Sequence, residues 1–307
     1  MSRVLLTGAS GFIGRQALDL LLAEGHEVHA VARSIGEPRP GLVWHAADLL
    51  HFGTASDLVA AARPERLIHL AWTTTPGRYW TSPDNVAWAA MTLELHHAFA
   101  AAGGQRAVYA GTCAEYDWSG PDLDETRTPL VPKTFYGTAK ASTGRLLVAA
   151  GQQGGPAVAW GRIFYLYGPG EASGRLVSDV IAGLLADRPV DCTEGRQERD
   201  FMHVADVARA FVALAASDVT GPVNIASGDC RPVRDLVTEI GRQTGRAELL
   251  RLGARATPPD DPPRLAASVT RLREEVGFVP RYDLASGLAD TIAWWRRRLA
   301  ATAARSP

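Results

Sequence analysis

A tyrosine and a lysine four residues apart are the side chains whose types and spacing most directly suggest chemistry in this sequence. Tyr136 and Lys140 fall in a segment with a helical pattern, so both side chains share one face of the predicted helix. An ammonium group beside a phenol favours the phenolate and lowers the tyrosine pKa from about 10 toward a working range. Thr112, at the end of a predicted strand, is placed to hydrogen-bond a reacting carbonyl oxygen from the opposite side. We predict that these three residues are catalytic.

Lys140 is unusual because this chain contains almost no lysine. Lys133 and Lys140 are the two lysines among its 32 lysine and arginine residues. Together with abundant alanine, this bias suggests a GC-rich genome that encodes arginine wherever any cation is sufficient. Arginine does not release a proton, and its planar guanidinium is less suited to close contact with a phenol. We interpret position 140 as one that requires lysine.

A glycine-rich segment near the N-terminus, residues 7–14, predicts a dinucleotide site. Gly8 permits a tight turn, Gly11 lets the backbone approach a pyrophosphate, and Gly14 allows close packing of the following helix, whose N-terminus favours phosphate. A glycine-rich turn without a ligand is the alternative, but the segment lies between a predicted strand and a predicted helix, which favours the site. The cofactor contacts predicted in this loop are Gly8, Ser10, Gly11, Phe12, Ile13 and Gly14.

The end of the second predicted strand bears on which dinucleotide is bound. NAD-specific sites place an acidic residue there, on the ribose 2′-hydroxyl. This chain has no carboxylate in reach and instead has Arg33 and Ser34, which suit a 2′-phosphate. The alternative is an exposed arginine in an arginine-rich protein. We therefore favour NADP(H), with NAD(H) as the alternative, and expect Asp48 and Leu49 at the end of the third strand to meet the adenine.

The elements that must position these residues alternate between buried strands and helices. This alternation implies right-handed βαβ units and a parallel sheet, and hence an α/β, Rossmann-type doubly wound fold. A chain of 307 residues can form one large α/β domain or two smaller ones. The predicted strands are 3–7, 27–31, 41–44, 67–70, 107–110 and 157–160, and the predicted helices are about 12–24, from about 55, 85–102 and 134–150.

The second half of the chain is less regular, which suggests a smaller substrate-binding α/β region. We assign residues 1–168 to the dinucleotide-binding Rossmann domain, with 200–230 returning to it. Residues 169–199 and 231–307 then form the smaller, C-terminal substrate-binding region.

Composition and charge exclude several classes of function. A net charge of -1 and a pI near 6.7 give no electrostatic basis for binding nucleic acid or an anionic membrane. Three scattered cysteines do not suit a disulfide framework or a zinc site, and His96 and His97 lack a third ligand, so no metal is predicted. No apolar run approaches about 18 residues, and the strand pattern near the N-terminus leaves no room for a signal peptide. We expect a soluble, cytoplasmic protein.

The glycine loop, Thr112 and the pair Tyr136 and Lys140 resemble the extended short-chain dehydrogenase/reductases, specifically the NAD-dependent epimerase/dehydratase family. The resemblance covers nearly the whole chain, and it implies that Leu70 and Ala71 contact the cofactor. The further segments that match in the right order are His69–Ala71, Arg162–Pro169, Arg199–Val204 and Asn224–Gly228.

The resemblance implies hydride exchange between a bound nicotinamide and a sugar carbon. Tyr136 is then the acid/base, Thr112 orients the oxygen, and Lys140 also contacts the nicotinamide ribose. Arg199 matches an arginine that typically holds the diphosphate of a nucleotide sugar. A nucleotide-sugar substrate is therefore expected.

Departures from the family pattern narrow the reaction. The 4,6-dehydratases of the family resemble Thr-Asp-Glu where this chain has Thr112, Cys113 and Ala114, so dehydration lacks its acid and base. Tyr165 stands where the family usually has an asparagine. The contact that this asparagine makes to the sugar phosphate is therefore not predicted by the resemblance. Cys113 is open to two interpretations, an acid/base for epimerisation or a small core residue. Glu115 either approaches the substrate or faces solvent at the strand end.

Residues 72–83 form a predicted loop on the side of the sheet where ligands bind in such folds. Trp72 and Tyr79 in this loop predict a substrate wall or lid, and the alternative is that the aromatic side chains pin a long loop. We also predict Cys113, Tyr165 and Arg264 as substrate contacts.

The helices at 85–102 and 134–150 are rich in alanine and apolar residues. The equivalent pair forms a four-helix dimer interface in the family, so the resemblance implies a homodimer with two-fold symmetry.

The leading hypothesis for function is NADP(H)-dependent reduction of a keto group, at C4, on a nucleotide-activated deoxysugar. The second is a nucleotide-sugar 4-epimerase that keeps NAD tightly bound. A non-catalytic, cofactor-sensing regulator on the same fold is a third, which the retained Tyr136 and Lys140 disfavour. A reductase of small ketones or phenolic substrates is disfavoured by Arg199 and the sugar-enzyme motifs.

Overall fold

The computed structural model describes residues 1–51, 53–120 and 122–303. Its strands are β1 (Arg3–Thr7), β2 (Glu27–Ala32), β3 (Leu42–Ala46), β4 (Arg66–His69), β5 (Arg106–Thr112), β6 (Asp122–Leu123), β7 (Ala157–Ile163), β8 (Tyr165–Tyr167), β9 (Val190–Asp191), β10 (Glu198–His203), β11 (Gly221–Ile225), β12 (Cys230–Pro232), β13 (Leu250–Arg251) and β14 (Arg264–Ala267). Its helices are α1 (Gly14–Ala23), α2 (Thr54–Ala62), α3 (Asp84–Ala101), α4 (Phe135–Gln152), α5 (Leu176–Leu185), α6 (Val204–Ala216), α7 (Val233–Thr244) and α8 (Leu284–Ala303).

Seven parallel strands form the central sheet, in the order β11-β7-β5-β4-β1-β2-β3. The chain builds outward from β1 to β3 and then returns to β4 on the other side of β1. The strand order therefore reverses between β1 and β4, and ligands of such folds bind outside the carboxyl ends of the strands at this switch point. The predicted doubly wound fold is confirmed.

Helices cover both faces of the central sheet. α1 and α6 pack together on one face, and α2, α3 and α4 pack side by side on the other, each over its own apolar core. A smaller mixed sheet, β12-β10-β14-β6 with β8 beside β10, lies in the second half of the chain. A third core, to which α5, α7 and α8 contribute, packs near it.

Two predicted boundaries are wrong, and each has a local cause. α1 begins at Gly14 rather than at residue 12, because residues 8–13 form a turn in which the Gly11 N–H donates to the Gly8 carbonyl (2.9 Å). β3 ends at Ala46, opposite the last residue of β2. Asp48 and Leu49 therefore lie beyond the strand rather than at its end.

Among the described residues, no helix combines the length and the apolar character that crossing a bilayer requires. Within the same ranges, no three His, Cys, Asp or Glu side chains converge in a way that suits a metal ion.

Candidate active site

The glycine loop packs directly against the end of β4. A Cβ atom on Gly8, whose φ is +71°, would lie 2.9 Å from the backbone nitrogen of Ala71, and a Cβ on Gly14 would overlap the Gly8 carbonyl. Thr7 Oγ1 hydrogen-bonds His69 Nδ1 (2.7 Å) and accepts from the Ala71 N–H (3.4 Å). The two segments predicted to contact the cofactor are thus joined at the switch point.

The N-terminus of α1 suits a dinucleotide pyrophosphate. The helix has no side-chain cap at Ile13 and no acidic residue in its first turn. The first N–H groups of a helix carry a partial positive charge and need acceptors, and phosphate oxygens serve that role when side chains do not. The backbone of this loop therefore fits NAD or NADP.

The end of β2 exposes the two residues predicted to read the adenosine ribose. Arg33 and Ser34 follow Ala32 directly and are both exposed to solvent. Beyond β3, Asp48 caps its own turn by accepting from the Leu50 N–H (3.0 Å), whereas Leu49 is buried in the core beside α2.

The three predicted catalytic residues come together at the carboxyl end of β5. Thr112 ends that strand, and Tyr136 lies in the first turn of α4, whose N-cap Thr134 accepts from the Gly137 N–H (3.0 Å). A Cβ on Gly137 would overlap the Ala114 carbonyl, so α4 packs closely on the turn after Thr112. All three side chains are buried, and Tyr136 and Thr112 interact through their hydroxyl groups.

The expected lowering of the Tyr136 pKa is wrong for this structure. Burial raises the pKa of Tyr136, and the interactions with Tyr79 and Glu115 act in the same direction, while the hydroxyl of Thr112 acts against them. The Lys140 ammonium group is bonded to the backbone and not to the Tyr136 hydroxyl, because its Nζ donates to the Ala110 carbonyl (2.8 Å). Burial lowers the pKa of Lys140 to about 7. Tyr136 is therefore a neutral phenol, the form that can donate a proton.

Aromatic side chains of residues 72–83 surround the Tyr136 ring. Tyr79, Trp80 and Trp72 lie edge-on to it, with ring centroids 4.9, 5.8 and 6.3 Å away. Trp72 also covers Lys140, whose Nζ lies 3.6 Å from the indole centroid. The loop therefore forms an aromatic wall over the catalytic residues.

Two polar residues outside the loop hold this wall, and sequence reasoning missed both. Asn85 in α3 accepts from Trp72 Nε1 (2.9 Å) and donates to the Tyr79 carbonyl (2.8 Å). Arg175, just before α5, donates to the Thr74 carbonyl (3.0 Å), and its guanidinium lies 5.4 Å from the Tyr79 ring centroid. The loop is thus both pinned and in contact with Tyr136.

The turn after β5 resolves two open assignments. Burial raises the pKa of the Cys113 thiol to about 12, which disfavours it as a base. Glu115 neither approaches the substrate nor faces solvent, because it is fully buried and pairs with Arg162, whose Nε lies 2.8 Å from its Oε2. No sequence pattern predicts this ion pair, which joins β7 to the turn after β5.

Arg199 lies close enough to the turn after β5 to interact electrostatically with Cys113. Its buried guanidinium donates to the Glu198 carbonyl (2.7 Å), pairs with Asp261, and lies 5.6 Å from the Tyr165 ring centroid. The structure therefore brings the predicted substrate contacts Arg199 and Tyr165 together beside the catalytic turn.

Arg264 is at the edge of this group. It is half-exposed and bridges Asp122 (3.1 Å) and Glu198, tying β14 to β6 and β10. Those ion pairs are a sufficient structural role for Arg264.

The model of the NAD dependent epimerase/dehydratase family matches residues 4–226, well over half of the chain. The chain belongs to this family. It is an enzyme of the extended short-chain dehydrogenase/reductase type, as the predicted resemblance implied.

Individual members of the family are similar along nearly the whole chain. UDP-glucuronic acid decarboxylase 1 of Xenopus tropicalis is 26% identical over 312 residues, covering 97% of this chain and 73% of that protein. UDP-glucose 4-epimerase of Azospirillum brasilense is 28% identical over 330 residues, covering 97% and 92%. The structure of MoeE5 with UDP-glucose and NAD is 30% identical with a TM-score of 0.81, covering 96% of this chain and 99% of that chain.

Proposed function

We propose that this enzyme reduces a keto group, at C4, of a nucleotide-activated deoxysugar with NADPH. The observation that carries the proposal is the neutral Tyr136 phenol beside Thr112 and Lys140, next to a turn without a carboxylate at positions 113 and 114. Such a site can protonate a carbonyl oxygen but lacks the acid–base pair that dehydration needs.

A nicotinamide held at this site would supply the hydride. Tyr136 donates its phenolic proton to the carbonyl oxygen, and the Thr112 hydroxyl hydrogen-bonds that oxygen and orients it. Lys140, one helical turn along α4 from Tyr136 and held by the Ala110 carbonyl, adds positive charge to the site in its protonated form. These roles follow the residues of the family that match Tyr136, Thr112 and Lys140.

NADP(H) is supported by the corner after β2. Arg33 and Ser34 are exposed there, and residues 33–36 contain no carboxylate that would repel a 2′-phosphate. A guanidinium binds phosphate through two parallel hydrogen bonds. The glycine loop and the N-terminus of α1 would hold the pyrophosphate in either cofactor.

A nucleotide sugar is supported by Arg199 and by the relatives, whose names include a UDP-glucuronic acid decarboxylase and a UDP-glucose 4-epimerase. Arg199 is a buried cation beside the catalytic turn, suited to a diphosphate. The aromatic wall of Trp72, Tyr79 and Trp80 suits the C–H faces of a sugar that has lost hydroxyl groups.

A 4-epimerase with bound NAD is the second candidate. It is favoured by the 4-epimerase of Azospirillum brasilense and by MoeE5, which was solved with UDP-glucose and NAD. An epimerase uses the same Tyr136 first as a base and then as an acid, so the same residues serve both reactions.

We also propose a homodimer formed through α3 and α4. Val86 on α3 and Phe135 and Leu146 on α4 are large apolar side chains exposed to solvent in the single chain. Light scattering at micromolar concentration should give the mass of two chains, and Leu146→Glu should shift it toward one. A wild-type mass of one chain would rule out this assembly.

Product analysis with both cofactors distinguishes the two reactions. A reductase consumes one equivalent of NADPH per 4-keto-6-deoxy nucleotide sugar, seen as loss of the reduced nicotinamide absorbance. An epimerase interconverts two UDP-sugars without a net absorbance change and purifies with NAD bound. Interconversion without NADPH consumption would replace the reductase proposal with the epimerase.

A further inference from the structure

A carboxylate that the proposed reaction does not use lies directly behind the catalytic threonine. Glu115 ends the short 3₁₀ turn that follows β5. Its Oε1 accepts from the Thr112 backbone N–H (2.8 Å), while Thr112 Oγ1 accepts from the Ala114 N–H (3.2 Å). These reciprocal caps fix the backbone from which the Thr112 hydroxyl projects.

The remaining capacity of the carboxylate is filled from β7. Trp160 Nε1 donates to Glu115 (2.9 Å to Oε1 and 3.1 Å to Oε2), and Arg162 Nε donates to Oε2 (2.8 Å). Arg162 Nη1 continues the chain of hydrogen bonds to the Tyr116 hydroxyl (2.9 Å), which donates to Asn224 Oδ1 in β11 (2.7 Å). A charge in the interior is tolerated when it is paired and hydrogen-bonded in this way.

Two glycines make room for this arrangement. A Cβ on Gly111 would lie 2.7 Å from Glu115 Oε1 and would overlap Trp160 Nε1. A Cβ on Gly144 in α4 would lie 2.6 Å from the Trp160 ring. β5 therefore approaches both the indole and the carboxylate, and α4 approaches the indole, more closely than a residue with a Cβ atom would allow.

The same carboxylate acts on Lys140. The Nζ of Lys140 bonds the carbonyl of Ala110, two residues before Thr112, and lies 5.9 Å from the ring centroid of Trp160, whose Nε1 bonds Glu115. Burial lowers the pKa of Lys140, and Glu115 opposes that effect.

Within the part of the chain that the structure describes, the other groups next to Lys140 carry no charge that could replace that of Glu115. His69 in β4 is neutral, because burial lowers its pKa to about 3. Tyr136, on the same helix as Lys140, is a neutral phenol because burial raises its pKa. The rings of Trp72 and Trp160 contribute only their π faces.

We propose that Glu115 is a positioning residue of this active site, whose carboxylate holds Thr112 in place and supplies a buried negative charge that favours the protonated form of Lys140. The benefit to turnover rests on the proposed function. The electrostatic part is a property of the free protein and is tested without substrate.

The two lysines of the chain make that test direct. Protein labelled with ¹³C at lysine Cε should show two NMR signals, one from exposed Lys133, assigned by Lys133→Arg, and one from buried Lys140. Glu115→Gln should lower the pH midpoint of the Lys140 signal by roughly one unit or more. Arg162→Gln removes the positive partner and keeps the carboxylate, so it should leave the midpoint unchanged or raise it.

Opposite responses of the two variants separate a charge effect from a general distortion. An unchanged Lys140 midpoint in Glu115→Gln, or the same downward shift in Arg162→Gln, would overturn the proposal. If Glu115→Gln does not fold, the double variant Glu115→Gln/Arg162→Gln, which leaves no unpaired charge, must still show the downward shift.

Kinetics supply the second readout. Glu115→Gln should lower kcat more than KM, and the alkaline limb of its kcat profile should move to lower pH by the amount of the NMR shift. A lower kcat without a shift in the alkaline limb of the pH profile would contradict the proposed effect of Glu115 on Lys140. A wild-type enzyme without reductase activity would contradict the proposed function and leave the NMR result standing.

Discussion

The turn after β5 and the face of β10 satisfy their polar groups in different ways. At the turn, Thr112, Glu115 and Lys140 are hydrogen-bonded to backbone atoms and side chains of the protein itself. On β10, the buried Arg199 is paired with Asp261, a carboxylate from the segment before β14 with a partly exposed side chain.

This difference separates chemistry from binding. Groups that stabilise charge in a transition state are most effective when they are already oriented and need no rearrangement. An arginine that binds an anionic ligand needs a counter-charge while the site is empty, because an unpaired buried cation is costly. We infer that the catalytic turn is preorganised, whereas Arg199 exchanges one anion for another when substrate binds.

The largest expected effect on turnover comes from a substitution in the preorganised catalytic group beside the turn after β5. Tyr136→Phe removes the proton donor and should reduce turnover about 10²–10⁴-fold while leaving cofactor affinity nearly unchanged. Tyr109→Phe is the matched control, because Tyr109 is also a buried tyrosine, bonded to His96 Nδ1 (2.9 Å) away from the reacting group. Retention of more than a tenth of wild-type turnover by Tyr136→Phe would remove the phenol from the mechanism.

The sequence was sufficient for those parts of the site that depend on local spacing. The glycine loop follows from a strand, a turn and a helix in succession, and Tyr136 and Lys140 share a face because they are four residues apart in α4. The hydrogen-bond partners of Glu115 could not be predicted in this way, because Trp160 and Arg162 lie 45 and 47 residues away in sequence.

The direction of the Tyr136 pKa was missed for a related reason. Burial by Trp72, Tyr79 and Trp80 raises this pKa, and the loop that carries them is held in part by Asn85 and Arg175, which lie outside it. The presence of Lys140 four residues from Tyr136 was predictable, but the desolvation of Tyr136 by a loop distant in sequence was not.

A smaller effect on cofactor affinity is expected at the corner after β2, which lies outside both the turn after β5 and β10. Arg33→Asp should reverse the preference for NADPH over NADH, because one charge-assisted contact contributes about 1.5–3 kcal/mol, or roughly 10- to 150-fold in affinity. Titration of each cofactor by fluorescence measures both constants. Arg39→Asp, a second exposed arginine beyond β2 that pairs with Asp19, is the control and should change neither.

An NADPH preference that survives Arg33→Asp would place the 2′-phosphate contact elsewhere. Equal affinity for both cofactors in the wild type, together with NAD retained through purification, would instead favour the epimerase.

The smallest effect tests the exchange of anions at Arg199. If substrate replaces Asp261 on this guanidinium, Asp261→Asn removes the competitor and should tighten binding of a nucleoside diphosphate by about two- to fivefold, since a partly exposed ion pair contributes about 0.5–1 kcal/mol. Arg199→Gln should weaken the same binding. Calorimetry on both variants, with Asp260→Asn as the neighbouring control, measures the difference. Weaker binding in Asp261→Asn would show that Asp261 orients Arg199 for the ligand instead of competing with it, and β10 would then be preorganised in the same way as the turn after β5.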